Sequence, residues 1–123
     1  MERVEGIGGF FFAAEDADEL SRWYAEHLGV TAPPQSYDAE VWVQEAGPTV
    51  FAPFGAKHGT SPHLGPRGWG LNFRVRDLPA MVAQLEAAGI EVTVDPETYP
   101  NGTFAQLSDP EGNPVQLWQP VAP

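Results

Sequence analysis

Apolar and polar positions alternate differently in different stretches of the chain, and the two periods separate helices from strands. In ADELSRWYAEHL the apolar residues Leu20, Trp23, Tyr24 and Leu28 fall at i, i+3, i+4 and i+8, one face of a helix. Asp16 stands at its N-cap with Glu19 three residues on, a capping-box spacing, and Gly29 suits its C-terminal stop. A second stripe, Leu78, Met81, Val82 and Leu85, follows Asp77, tolerates Pro79 in its first turn and stops at Gly89. The remaining periodic stretches read as strands, over 4–13, near 35–38, 40–45, 49–54, 69–76, 91–94, 102–108 and 114–119.

These elements repeat. Asp16 and Asp77 are 61 positions apart and Gly29 and Gly89 are 60 apart, half the chain length. Each half reads as an apolar strand, an Asp-capped helix, a Gly stop and three further strands, a βαβββ unit too long for a solenoid repeat. Unit one covers about 1–54 and unit two about 69–123, with the Gly/Pro-rich connector GAKHGTSPHLGPRG, 55–68, between them. The 123 residues therefore form a single domain of α+β class. One helix covers only one face of a four-stranded sheet, so the other face of each unit is expected to be solvated or to close on its twin as a cleft.

Composition narrows the function. Six Lys and Arg against 17 Asp and Glu give a net charge of −11, which argues against nucleic acid and anionic membranes as partners. There is no Cys, hence no disulfide, thiolate metal site or Cys nucleophile. The N-terminus MERVEG has no signal-peptide pattern and no long apolar run follows, so a cytoplasmic location is expected. His58 and His63 in the connector read as exposed loop histidines, because no third ligand accompanies them.

The closing segment SDPEGNPVQLWQP carries the chemistry. Its DPEGN is a dense turn signal, and the strand after it alternates Val115 and Leu117 with Gln116 and Trp118, so a neutral amide and an indole share one face.

The duplicated units, DADELSRWYAEHLGV after the first strand, FRVRDLPAMVAQLEAAGI and the closing SDPEGNPVQLW together resemble the vicinal oxygen chelate superfamily, which includes glyoxalase I, bleomycin-resistance proteins and extradiol dioxygenases. The resemblance implies a U-shaped eight-stranded mixed sheet around a cleft, helices outside, and a homodimer. It also implies a divalent metal, held from positions seven residues before each capping Asp, from a carboxylate in the closing strand and from that carboxylate's counterpart in unit one. Those positions carry Gly9, Gly70, Gln116 and Val50 here. Glycine and valine offer no side-chain donor, and three good ligands are the usual minimum for zinc. No metal cofactor is expected on this reading; the alternative retains a divalent metal in an altered site.

Gln116 then lies inside the cleft. Strand alternation gives it Phe11, Trp42, Gln44, Asn72, Arg74, Phe104, Gln106 and Trp118 as ligand-binding neighbours, while Phe10, Phe12, Val41, Val43, Leu71, Phe73, Val75, Val115 and Leu117 pack on the helices. Aromatic walls with a few amides describe a small-molecule site, and Arg74 either pairs with an anionic group on the ligand or serves as an ion-pair partner of Glu40 or Glu45. The expected function is a metal-free binder of a small aromatic or drug-like molecule. The alternative is a metal-dependent lyase, isomerase or dioxygenase. Whether the protein is an enzyme stays open: the inferred cleft holds no His, Asp or Glu to act as a base.

Overall fold

The computed structural model describes every residue except 56–60, 62 and 123. Helix α1 runs Ala17–Leu28, and Asp16 caps it by accepting the backbone N–H of Glu19 at 3.1 Å. Gly29, at φ 71°, turns the chain out in the left-handed region that glycine enters without cost. Strand β1 is Leu71–Arg74, followed by α2, Leu78–Ala87, β2, Thr93–Val94, β3, Gly102–Ser108, and β4, Pro114–Pro120. Helix α2 is capped twice. Asp77 accepts from Ala80 N–H at 3.0 Å, and Gln119 Oε1 reaches from β4 to accept the Leu78 N–H at 2.7 Å.

The four strands form one mixed sheet in the order β1-β4-β3-β2. β4 runs parallel to β1 and antiparallel to β3, and β2 closes the far edge antiparallel to β3. Unit two is thus a complete βαβββ module. Both helices lie on one face of its sheet: Leu20 and Tyr24 of α1 and Leu78, Val82 and Leu85 of α2 share a core with Ala105, Leu107, Val115 and Leu117. Leu85, Ala105, Val115 and Leu117 are fully buried.

The strands expected in unit one are not formed among the described residues, where the sheet has four strands. Alternation survives locally: Phe10 and Phe12 point the same way and pack on Trp69 at ring-centroid distances of 5.2 and 4.7 Å, while Phe11 between them is 94% exposed. A strand is made by the hydrogen bonds of its neighbour, and here no neighbouring strand meets 4–13, 35–38, 40–45 or 49–54. Their apolar side chains consequently face solvent, Val43 at 82% and Phe51 at 84%.

Candidate functional site

The face of the sheet opposite the helices carries the site candidates. Register fixes who sits beside whom. Asn72 on β1 pairs with Gln116 on β4, which pairs with Gln106 on β3, which pairs with Thr93 on β2. Residues directly opposite in neighbouring strands point to the same face, so these four make one row of uncharged hydrogen-bonding groups. Asn72 Nδ2 donates to Gln116 Oε1 at 2.7 Å.

The next row is Arg74, Trp118 and Phe104. The Trp118 and Phe104 rings lie parallel, 2° apart in orientation with centroids separated by 6.2 Å, and the edge of Tyr99 meets Phe104 at 5.8 Å. Trp118 is only 8% exposed, and its indole N–H donates to the Asn101 carbonyl at 2.8 Å, which holds the ring in place. At the β2 end of the amide row a shallow concavity of about 640 Å³ opens, with Thr93, Gln106 and Ser108 on one side and Trp23, Ile90 and Leu107 on the other.

Six of the nine residues read as a cleft from the sequence therefore share this floor: Asn72, Arg74, Phe104, Gln106, Gln116 and Trp118. Three do not. Phe11 projects into solvent. Trp42 packs on Phe73, at 6.3 Å, on the helix side of β1, which reverses the phase read for 41–43. Gln44 lies exposed in the irregular stretch before Glu45. Thr93 and Tyr99 belong to the floor and were missed. The alternation of 91–94 carries the signal for Thr93, whereas Tyr99 arrives through a loop with no periodicity.

Arg74 is occupied. Its Nη1 donates to the Pro48 carbonyl at 2.6 Å and to Thr49 Oγ1 at 2.9 Å, and its Nη2 donates to the Glu45 carbonyl at 2.8 Å. It grips segment 45–49 with three of its five N–H donors, and no carboxylate of Glu40 or Glu45 is on it. Gly47 has to be glycine for this grip, because a Cβ there would lie 2.6 Å from Arg74 Nε.

At the end of the hairpin the DPEGN turn joins the two halves of the chain. The Asp109 carboxylate, 4% exposed, accepts from the Tyr24 hydroxyl and Asn113 Nδ2, each at 2.7 Å, and from the backbone N–H groups of Glu111 and Asn113. Burial first, and then the bond and the negative charge of Asp109, push the Tyr24 phenol well above its ordinary range. Arg67 donates to Asn113 Oδ1 at 2.8 Å. Glu111 accepts the backbone N–H groups of Glu15 and Asp16 at 2.9 and 3.0 Å, at the entrance of α1. Of the connector histidines, His63 is exposed beside Phe54, and His58 lies outside the described residues.

A βαβββ module with helices on one face of a mixed sheet and an open floor on the other is the glyoxalase-type fold. The chain belongs to the glyoxalase-like families of the vicinal oxygen chelate superfamily: the family model for the Glyoxalase-like domain matches residues 9–118. Among curated protein sequences none shows significant similarity to the chain. Among solved structures it is similar to TnmS3, an antibiotic binding protein from Streptomyces sp. CB03234, with 21% identity over 98% of this chain and 100% of that one and a TM-score of 0.61. A protein from Bacillus anthracis assigned to the glyoxalase family is 20% identical over 89% of this chain and 88% of that one, TM-score 0.52. A glyoxalase/bleomycin resistance protein from Streptomyces sp. CB03234 is 36% identical over 44% of this chain, with a TM-score of 0.37, and the match spans about half (51%) of its length.

Proposed function

We propose that the protein is a metal-free binder of a small aromatic or drug-like molecule, which it seats on the floor formed by Asn72, Phe104, Gln106, Gln116 and Trp118. The observation that carries this reading is the pairing of Gln116 with Asn72 beside a held aromatic stack. Apolar surface with a few placed polar groups is the composition of small-molecule sites. The fold relationship to an antibiotic binding protein supports the same class of ligand.

The residues at the family's metal positions do not fit a divalent ion. Gln116 Oε1 already accepts from Asn72, and a neutral amide oxygen is a weak ligand by itself. Gly70 has no side chain and no room for one, since a Cβ would run into the His63 carbonyl. Gly9 and Val50 bring no donor. Among the described residues no group of three His, Asp or Glu stands close enough to hold an ion.

The reading includes a closed form in which the unit-one segments complete a U-shaped eight-stranded sheet over the floor, within one chain or across a homodimer. Large apolar side chains left in water, such as Phe11, Val43 and Phe51, support such closure, because exposed apolar surface on this scale usually marks an interface. Among the described residues no helix is long and apolar enough to cross a membrane, and the binder is read as acting in the cytoplasm.

The test is metal analysis together with a binding screen. Protein purified without chelators should carry no stoichiometric zinc, nickel, iron or manganese, and adding these ions should leave its melting temperature unchanged. A bound aromatic ligand at a hundred times its dissociation constant should add about 2.7 kcal/mol of stability and quench indole emission, with the quenching reduced in Trp118→Phe. A tightly held metal lost in Gln116→Leu would instead establish the metalloenzyme alternative.

A further inference from the structure

The amide row specifies more than a flat ligand. The bond from Asn72 Nδ2 to Gln116 Oε1 uses one lone pair of the Gln116 oxygen and one of the two N–H groups of Asn72. It leaves an unbonded acceptor, Asn72 Oδ1, beside an unbonded donor, Gln116 Nε2, on two adjacent strands about 4.8 Å apart. Among the described residues no group bonds to either atom, and the Gln106 amide next in the row is equally open. In the neighbouring row the indole N–H is held by Asn101, and three of the five N–H groups of the Arg74 guanidinium are taken by Glu45, Pro48 and Thr49. The one cation of that row is anchored to segment 45–49 by three bonds, so an anion on the floor meets a guanidinium already engaged elsewhere. A cation finds no carboxylate in the amide row.

Resting on the binder reading above, we infer that the ligand is uncharged and carries a lactam or imide edge, with its carbonyl accepting from Gln116 Nε2 and its N–H donating to Asn72 Oδ1 while its rings lie against Trp118 and Phe104. Gln116 occupies the closing-strand position where the family pattern has a metal-binding carboxylate, and with Asn72 beside it the pair replaces charge recognition with a neutral donor–acceptor code. Affinity is then insensitive to salt even though the protein carries a net charge of −11, because no charge on the ligand is there to be screened.

The experiment uses four tricyclic probes of one size: phenanthridinone, which has the lactam edge; N-methylphenanthridinone, which lacks its N–H; N-methylphenanthridinium, a cation; and phenanthrene carboxylate, an anion. Binding is read by calorimetry at low and high salt, and by chemical-shift changes of the Asn72 and Gln116 side-chain amides. Phenanthridinone should bind at least tenfold more tightly than the other three, with the same affinity at both salt concentrations. Asn72→Ala removes the Oδ1 acceptor and should abolish the preference for the lactam over its N-methyl analogue, whereas Gln116→Glu keeps the acceptor for Asn72 but removes the Nε2 donor to the carbonyl and should weaken both probes by a similar factor. Either variant tests the pairing should the other fail to fold. Equal binding of the lactam and its N-methyl analogue, or tighter binding of either ion, overturns this inference and leaves the binder reading standing. Failure of all four to bind at millimolar concentration overturns the binder reading and this inference with it.

Discussion

Replacing Tyr24 by Phe removes one oxygen from the joint between α1 and the closing hairpin. The hydroxyl is buried and donates to Asp109 Oδ2 at 2.7 Å. A hydrogen bond to a charged acceptor is worth about 1.5–3 kcal/mol. Asp109 keeps three other donors, the N–H groups of Glu111 and Asn113 and the Asn113 amide, so it is not orphaned and the cost falls at the lower end, about 1.5–2 kcal/mol. For a chain of this size that lowers the melting temperature by roughly 5–10 °C. The pH dependence supplies a second signature. The Tyr24 phenol has a raised pKa in the folded state, chiefly through burial, so the folded protein holds a proton that the unfolded chain releases above pH 10. The stability from this group is therefore complete below about pH 10 and is lost as pH rises beyond it, by about 1.4 kcal/mol at one unit above the unfolded value. Tyr99 is shifted in the same direction, mainly by its bond to Asp95, but it is present in both proteins and cancels. Urea denaturation at pH 8 and pH 11 should show the gap between the parent and Tyr24→Phe closing by about that amount. A variant within 0.5 kcal/mol of the parent at pH 8, or a gap that does not change with pH, would refute the argument.

Glu111→Ala should cost about 1–2 kcal/mol by freeing the Glu15 and Asp16 N–H groups, and hydrogen exchange should show α1 opening before β3 and β4. Gly70→Ala should destabilise by more than about 1 kcal/mol through its clash with the His63 carbonyl, whereas Gly6→Ala, with nothing within 4 Å, should be neutral in the same thermal melt. Arg74→Met should leave the fold intact by circular dichroism but speed chymotryptic cleavage at Trp42 and Phe51, since segment 45–49 loses two bonds to its backbone carbonyls and one to the Thr49 hydroxyl. Light scattering at micromolar concentration should report a dimer; a monomer would reject the homodimer and leave closure within one chain as the remaining form.

How much was legible depended on whether the cause was local. The α1 cap and stop at Asp16, Glu19 and Gly29 are visible in a few consecutive residues, and the structure has them where the pattern puts them. The β3–β4 hairpin was equally readable, because the turn chemistry of Asp109, Gly112 and Asn113 sets the register and alternation then sorts Gln116 and Trp118 from Val115 and Leu117. Unit one has the same alternation but lacks a partner strand, and alternation alone cannot say whether a partner is present. The phase of Trp42 failed for that reason: without a ladder to pin it, the indole goes to Phe73. The role of Arg74 was hidden because its partners are mostly backbone carbonyls, which no residue pattern reveals.

The Tyr24–Asp109 bond has a consequence for the growing chain. Its partners are 85 residues apart, so at about 5–20 residues per second the ribosome delivers Asp109 roughly 4–17 s after Tyr24. The whole surface that receives α1 belongs to the later half: Leu78, Val82 and Leu85 arrive first, and Val115 and Leu117 almost last. A nascent chain ending at Ser108 lacks β4, and with it the middle of the sheet, so it should remain protease-sensitive throughout. Until β4 emerges, the stripe of Leu20, Trp23 and Tyr24 lacks the central strand of the surface it packs on, and α1 is only 12 residues long, too short to persist by itself.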